Sequence, residues 1–382
     1  MPGRRANSEG SIYKRADGRW VATIDLGYAG GKRRRKSYYA GTRREVAEKL
    51  TAALRARQQG LPVVGDRQTV GALLESWLSE SAARKVRPRT LQRYREIVRL
   101  HLTPKLGRVP LSKLTPQRVD AMMNEALAAG VSPRSAAHHR AVLRTALNVA
   151  MRWGFVGRNV ASLADPPRVP EREVRPLTPT DARALLDAVH GDRLEALFTV
   201  ALALGLRQGE ALGLRWADVD LDGGTLTVQR TLQRVDREWC FMEPKTARSR
   251  RTLALPGPVT VALREHRTRQ LQERLRLGAA WQGDGWGDLV FTDEAGGPVS
   301  GFHVSRRFRA LLSVAGLPAM RYHDLRHGAA SLMAAQGVPA RVAMEILGHA
   351  QISTTMNVYV HVAPELGRDA ADRMAAALWG KS

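Results

Sequence analysis

LGHAQISTTMNVYVHV, residues 347–362, sets Tyr359 ten positions beyond His349. Upstream in the same half of the chain stand HDLRH at 323–327, FMEPKTARSRRTLALP at 241–256 with Lys245 inside it, and GLRQGEAL at 205–212. Between them the apolar spacing is mainly helical, interrupted by the strand-like runs GTLTVQRTLQ, REWCFMEPK and SRRTLALP. His323 and Arg326 are three apart, which on a helix puts both on one face. Gly205 is expected to end or bend a helix and project Arg207, with Glu210 three residues on to hold its guanidinium. Taken singly, each of these has an ordinary explanation: a surface ion pair, a solvated lysine, a half-buried tyrosine.

Composition narrows the class. The 382 residues call for two or three domains. Sixty Lys+Arg stand against 36 Asp+Glu, a formal charge of +24, which points to a polyanionic partner such as nucleic acid. Residues 1–60 hold 15 basic and 5 acidic side chains, residues 61–165 hold 17 and 7, and the remainder 28 and 24. The excess is therefore concentrated in the first 165 residues. One cysteine, Cys240, excludes an intramolecular disulfide and a thiolate zinc site. The longest apolar run, LFTVALALGL at 197–206, is half a bilayer span, and the basic N-terminus lacks an apolar signal region. A soluble, cytoplasmic chain without membrane contact is expected.

Three modules emerge. In residues 9–40 the turn signals ADG and AGG separate SIYKR, RWVATIDL and KRRRKSYYA, and a helix follows from an N-cap at Thr42 to a stop at Gly60. This reads as a three-stranded sheet plus helix over 1–62. Arg19, Trp20, Tyr38 and Tyr39 beside Lys32, Arg33, Arg34, Arg35 and Lys36 suit a DNA groove. LPVVGDRQ at 61–68 reads as a linker. Four amphipathic helices then fill a domain at 68–165, whose basic faces carry Arg89, Arg93, Arg140 and Arg144, with His138 and His139 as surface or groove residues. A Pro-rich linker leads to a third module at 172–382, whose first helix is expected to open at Thr180. LGAAWQGDGWGDLVFTDEAGGPVS at 277–300 reads as loops and a short strand. The fold class is multidomain, mainly α with small β-sheets.

The side chains fit one problem. A phosphodiester repels nucleophiles, gathers charge on its non-bridging oxygens during attack, and has a poor alkoxide leaving group. Guanidiniums such as Arg207 and Arg326 offer planar, permanently charged forks to those oxygens. An imidazole, with pKa about 6.5, can bond phosphate or shuttle a proton. An ammonium can protonate the departing oxygen, and a tyrosine, with pKa about 10, can attack once it loses its proton.

In order and spacing, GLRQGEALGLRW, PKTARSRRTLALP, HDLRHGAASLM and LGHAQISTTMNVYVHV resemble the catalytic boxes of tyrosine recombinases, closest to integrases of phages and mobile elements. The resemblance covers essentially the whole chain. It implies an arm-type DNA-binding domain, a core-type helical domain and a mixed α/β, mostly helical catalytic domain with a C-terminal tail. It also implies Tyr359 as nucleophile, with Arg207, Lys245, His323, Arg326 and His349 as catalytic partners and Glu210 as support. Gln208-Gly209 departs from relatives that carry a small hydroxyl residue before the Glu. The implied reaction forms a 3′-phosphotyrosyl link and passes through a Holliday junction, with no metal, nucleotide or other cofactor. The implied partners are double-stranded attachment sites of core and arm type, three further copies on DNA, and an accessory bending or directionality factor. Residues 366–382 are expected to dock on a neighbouring copy. A catalytically inactive regulator of the same fold and a type IB topoisomerase-like enzyme are the alternatives. The six filled positions argue against the first, and the N-terminal sheet domain with the C-terminal tail against the second.

Overall fold

A computed structural model describes residues 10–29, 32–58, 68–170, 177–244, 249–349, 351–359 and 374–379. The chain forms two compact units, Met1–Glu171 and Arg172–Ser382.

The first unit begins with an antiparallel sheet of β1 (Ser11–Lys14), β2 (Trp20–Ala29) and β3 (Lys32–Ala40), followed by helix α1 (Arg43–Gln58). Thr42 Oγ1 accepts from Glu45 N at 3.3 Å, as the N-cap expectation requires. Alternation along the strands sends Ala22 and Ile24, with Trp20, Tyr38 and Ala40, against Val46, Leu50 and Ala53. Trp20 and Tyr38 are therefore partly buried side chains that pack against this core, not groove residues on the opposite face as expected. The opposite face carries Arg35 and Tyr39 on β3 and Tyr13 on β1, the two tyrosines about half exposed, with Tyr13, Val21 and Tyr39 aligned in one cross-strand row. Lys36 lies over the Tyr38 ring, 5.3 Å from its centroid. The side chains of Lys32, Arg33 and Arg34, and the expected Gly60 stop, lie outside what the structure describes.

The helical part has its own core of Leu73, Trp77, Ile97, Leu102, Val119, Leu143 and Leu147 among others. Helix α2 (Val70–Ser76) runs through a π-helical turn, Trp77–Ala82, into α3 (Ala83–Lys85). Helix α4 (Pro88–Ile97) likewise passes through Val98–Leu102 into α5 (Thr103–Leu106). Helices α6 (Pro116–Ala128) and α7 (Pro133–Arg152) start after Thr115 and Ser132, whose hydroxyls accept from backbone N–H groups of the first turn, with Pro next in each case. A short α8 (Val160–Leu163) follows. His138 is exposed as expected, but His139 is buried and stacks on His101 with ring centroids 4.0 Å apart. The packing of α7 therefore overrides a surface reading of that residue. Burial, then His101, Arg93 and His138, press its pKa down to about 4.

In the second unit the first helix, α9 (Pro179–Val189), opens at Thr178 rather than Thr180. Thr178 and Asp181 cap each other's backbone N–H and Pro179 occupies the first turn, so the start signal lies two residues earlier. Helices α10 (Glu195–Leu204) and α11 (Gln208–Leu212) follow. The β insert comprises β4 (Val219–Asp220), β5 (Thr225–Val228), β6 (Thr231–Val235), β7 (Glu238–Met242) and β8 (Arg251–Ala254). They form a β4-β5-β8 sheet and a β6-β7 hairpin. Helix α12 (Gly257–Leu277) then buries His266 and Gln270 under residues 289–292. Gln270 Nε2 donates to the Leu289 and Val290 carbonyls and His266 Nε2 bonds the latter at 2.7 Å. Side chains thus take the role of a ladder partner, and among the described residues 277–300 hold isolated bridges instead of the expected strand. Helices α13 (Gly301–Val314), α14 (Asp324–Ala335), α15 (Ala340–Leu347) and α16 (Ile352–Tyr359) complete the unit, with α16 packed on both α14 and α15. Of the tail only 374–379 is described: a helical turn with Met374, Leu378 and Trp379 exposed. Among the described residues no helix is long and apolar enough to cross a membrane.

Candidate active site

Two glycines make the site. Gly205 terminates α10 in the left-handed region, φ +63°, and a Cβ there would collide with the buried Leu347 side chain. Gly348 terminates α15 at φ +64°, with the Arg251 guanidinium filling the space a Cβ would need. These turns bring the carbonyl ends of both helices toward the arginines.

Three guanidiniums take the last three carbonyls at the end of α15. Arg251 Nε donates to Ile346 O at 2.6 Å, Arg326 Nη2 to Leu347 O, and Arg207 Nη2 to Gly348 O at 2.9 Å. Arg326 Nη1 also donates to Gly205 O at 2.7 Å. Helix ends leave such carbonyls without intrahelical partners and partly negative, so cations meet them favourably.

Glu210 binds the set together. Its Oε1 accepts from Arg207 Nη1 at 2.5 Å, and its Oε2 from Arg207 N and Arg251 Nη2, both at 3.1 Å. The carboxylate is 1% exposed. Burial pushes its pKa up, but the Arg251 and Arg207 charges outweigh this and hold it below the ordinary carboxylate value. Arg326, 3% exposed, is pressed down to about 9 by burial and by Arg207, which leaves it charged at neutral pH. Gln208, the departure from relatives, donates to Gly301 O and Ser305 Oγ, both at 3.1 Å, and so fastens α11 to α13.

His349 directly follows the carbonyl triplet, and its Nδ1 lies 2.8 Å from Thr355 Oγ1. Burial first, then Arg326 and Arg207, depress it to about 4, so the ring is neutral at pH 7. With the threonine hydroxyl donating, the ring proton sits on Nε2, where it can be given to an anion. His323 stands at the N-terminus of α14, and its ring meets the His327 ring edge-on at 5.3 Å. His327 therefore packs beside His323. Burial lowers both; His327, Arg326 and Arg321 press His323 further, while at His327 the Asp324 carboxylate opposes the lowering that Arg321 and Arg326 add.

The Tyr359 hydroxyl donates to Val338 O at 2.8 Å, in the α14–α15 turn, and burial raises its pKa. The structure thus joins Arg207, Arg326, Glu210 and His349 closely, while the described hydrogen bond of Tyr359 leads elsewhere. Lys245 lies outside the described residues.

Two members of this network escaped the sequence reading. Arg251 is in phase with the buried Leu253 on the inner face of β8 and Leu255 just beyond it, a period-two signal that could have marked it. Thr355, fully buried, lies one helical turn before Tyr359 on the same face of α16.

Among the proposed DNA contacts, Arg19, Arg35, Arg89, Arg93 and Arg144 are exposed. Arg89 and Arg93 sit one turn apart on α4, and Arg140 and Arg144 one turn apart on α7, which packs against it. Arg93 is paired with Glu96 at 3.1 Å, and Arg140 is half-buried with a 3.4 Å bond to Ser162 O.

Residues 175–365 match the model of the phage integrase family, and residues 69–127 that of the phage integrase N-terminal SAM-like domain. A XerC-like tyrosine recombinase of Caldanaerobacter subterraneus is 30% identical over 360 residues, covering 90% of this chain and 92% of that protein. An integrase of Streptomyces ambofaciens is 33% identical over 376 residues, 94% of each. Among solved structures, the Tn1549 transposon integrase in complex with transposon right-end DNA superposes with a TM-score of 0.68 at 22% identity, covering 81% of this chain and all of that one.

Proposed function

Since the chain belongs to the phage integrase family and is a tyrosine site-specific DNA recombinase, we propose that Tyr359 is its nucleophile. Arg207 and Arg326 clamp the non-bridging oxygens of the scissile phosphate, and neutral His349 donates to the same group. His323 or solvent takes the phenolic proton as the Tyr359 oxygen attacks phosphorus. The P–O5′ bond breaks, and Lys245 protonates the departing 5′-oxygen. The 3′-phosphotyrosyl link is then attacked by the partner strand's 5′-hydroxyl, which returns the phenol. One phosphodiester replaces another, so no ATP is consumed.

The observation that carries this reading is the convergence of Arg207 and Arg326 on adjacent carbonyls immediately before His349. Two permanent cations and a neutral donor are thereby concentrated at one place, which is what a pentacoordinate phosphate requires. In the same reading residues 1–62 grip arm-type sites, 68–165 clamp the core site through Arg89, Arg93, Arg140 and Arg144, and 172–382 cut. Four copies assemble on two duplexes in the cytoplasm of a bacterial host, with an accessory factor bending the DNA or setting direction.

A nicked duplex carrying the attachment site tests the assignment, because the cleaved product diffuses away and traps the covalent intermediate. Wild-type protein should give an adduct that survives denaturation, and Tyr359→Phe none. An adduct from the phenylalanine variant would remove Tyr359 from the mechanism.

A further inference from the structure

We infer that Arg251 is a positioning residue for the cleavage step, holding Glu210 and the end of α15 so that Arg207 meets the scissile phosphate already aimed. The inference rests on the reading of Arg207 and Tyr359 given above.

Arg251 spends its three nitrogens on three segments: Nη2 on Glu210 Oε2, Nε on Ile346 O and Nη1 on Ser249 O at 3.1 Å. Two of these partners adjoin Arg207. Glu210 gives its other oxygen to Arg207, and Ile346 lies two residues before the carbonyl that Arg207 uses. The Arg251 side chain is 7% exposed, and its neighbour Arg250 makes the contrast, 58% exposed and paired with the surface carboxylate Glu243. A buried guanidinium is costly unless compensated, and Glu210 compensates it. Truncating Arg251 would leave Glu210 free to rotate about Arg207 and release the last turn of α15. Arg207 would remain charged but no longer fixed.

That distinction can be measured. Replacing one non-bridging oxygen of the scissile phosphate by methyl removes its negative charge, so a precisely aimed cation loses its advantage there. In wild-type background, single-turnover cleavage of nicked phosphodiester and methylphosphonate duplexes sets the reference, with Arg207→Ala giving the profile of a lost cation. Arg251→Gln should slow phosphodiester cleavage about 10²-fold at saturating DNA. On the methylphosphonate diastereomer that best tolerates Arg207→Ala it should lose only a few-fold. Arg251→Lys keeps the charge against Glu210 without the fork, and should show the same selectivity with a smaller loss. It serves as the decisive variant if Arg251→Gln melts below the assay temperature. Equal losses on both substrates, or wild-type rates, overturn the inference. A wild-type protein that forms no adduct overturns the nucleophile assignment itself, and the inference with it.

Discussion

Arginine does different work in the two units. In the second, Arg326 and Arg251 are almost wholly buried, each side chain divided among backbone carbonyls and, for Arg251, a carboxylate. In the first, Arg19, Arg35, Arg89 and Arg144 stand in solvent. The first 165 residues carry most of the +24 charge, yet the cluster of Arg207, Arg251 and Arg326 lies in the nearly balanced remainder. In the proposed function, net charge marks where the chain adheres to DNA, and fixed charge marks where it reacts. Long flexible cations in water contribute affinity through counterion release. Buried, fully bonded ones have already lost their freedom and can act on a transition state without further ordering.

The comparison is tested most severely by Arg326→Ala. Cleavage at saturating DNA should fall about 10³-fold, whereas Arg144→Ala should leave that rate near wild type. Similar rates for the two variants, by quenched-flow cleavage of nicked duplex, would erase the distinction between fixed and adhesive arginines.

Acid should weaken both units, and the second more. His139 in the first unit and His266 and His349 in the second are each held near pKa 4, with burial the largest cause. Unfolded, each returns to about 6.5, so between those values the unfolded chain binds more protons and stability falls with falling pH. Above pH 6.5 these groups make no pH dependence. Each contributes on the order of 3 kcal/mol across the window. Melting followed from pH 7.5 to pH 5 should show a drop that His349→Gln and His139→Gln each reduce. A midpoint that rises toward pH 5 would contradict the burial of all three.

The smallest effect is expected from Arg35→Ala and Arg144→Ala. Each should lower affinity modestly and reduce the slope of log K against log salt by about 1, equally for specific and random duplexes. A loss confined to one DNA sequence would turn that arginine from a phosphate contact into a base reader.

The legibility of the chain follows from what each residue answers to. Arg207, Glu210, His323, Arg326, His349 and Tyr359 could be picked out as candidates because the proposed reaction demands particular functional groups in short, ordered segments. Arg251 hid in ARSRR because its distinction is burial, which depends on α11 and α15 being packed against β8. Trp20 and Tyr38 misled for the complementary reason: aromatic residues beside a basic run suggest a groove, but strand phase turns these two toward α1. The hydrogen bond from Tyr359 to Val338 had no counterpart in the sequence either, since a backbone carbonyl can accept from any residue type.

The receptors at Ile346, Leu347 and Gly348 are main-chain oxygens, and that shapes how the protein can evolve. A carboxylate acceptor such as Glu210 is lost in a single codon change, but no substitution deletes a carbonyl. Drift at residue 346 can alter the side chain while leaving its contact with Arg251 in place. Residue 348 is constrained by backbone conformation and by the guanidinium beside it. A library meant to retarget this recombinase can therefore diversify the exposed positions of α4 and α7 and, conservatively, residue 346, while Gly205, Gly348, Glu210 and the buried core of α4 and α7 are kept constant.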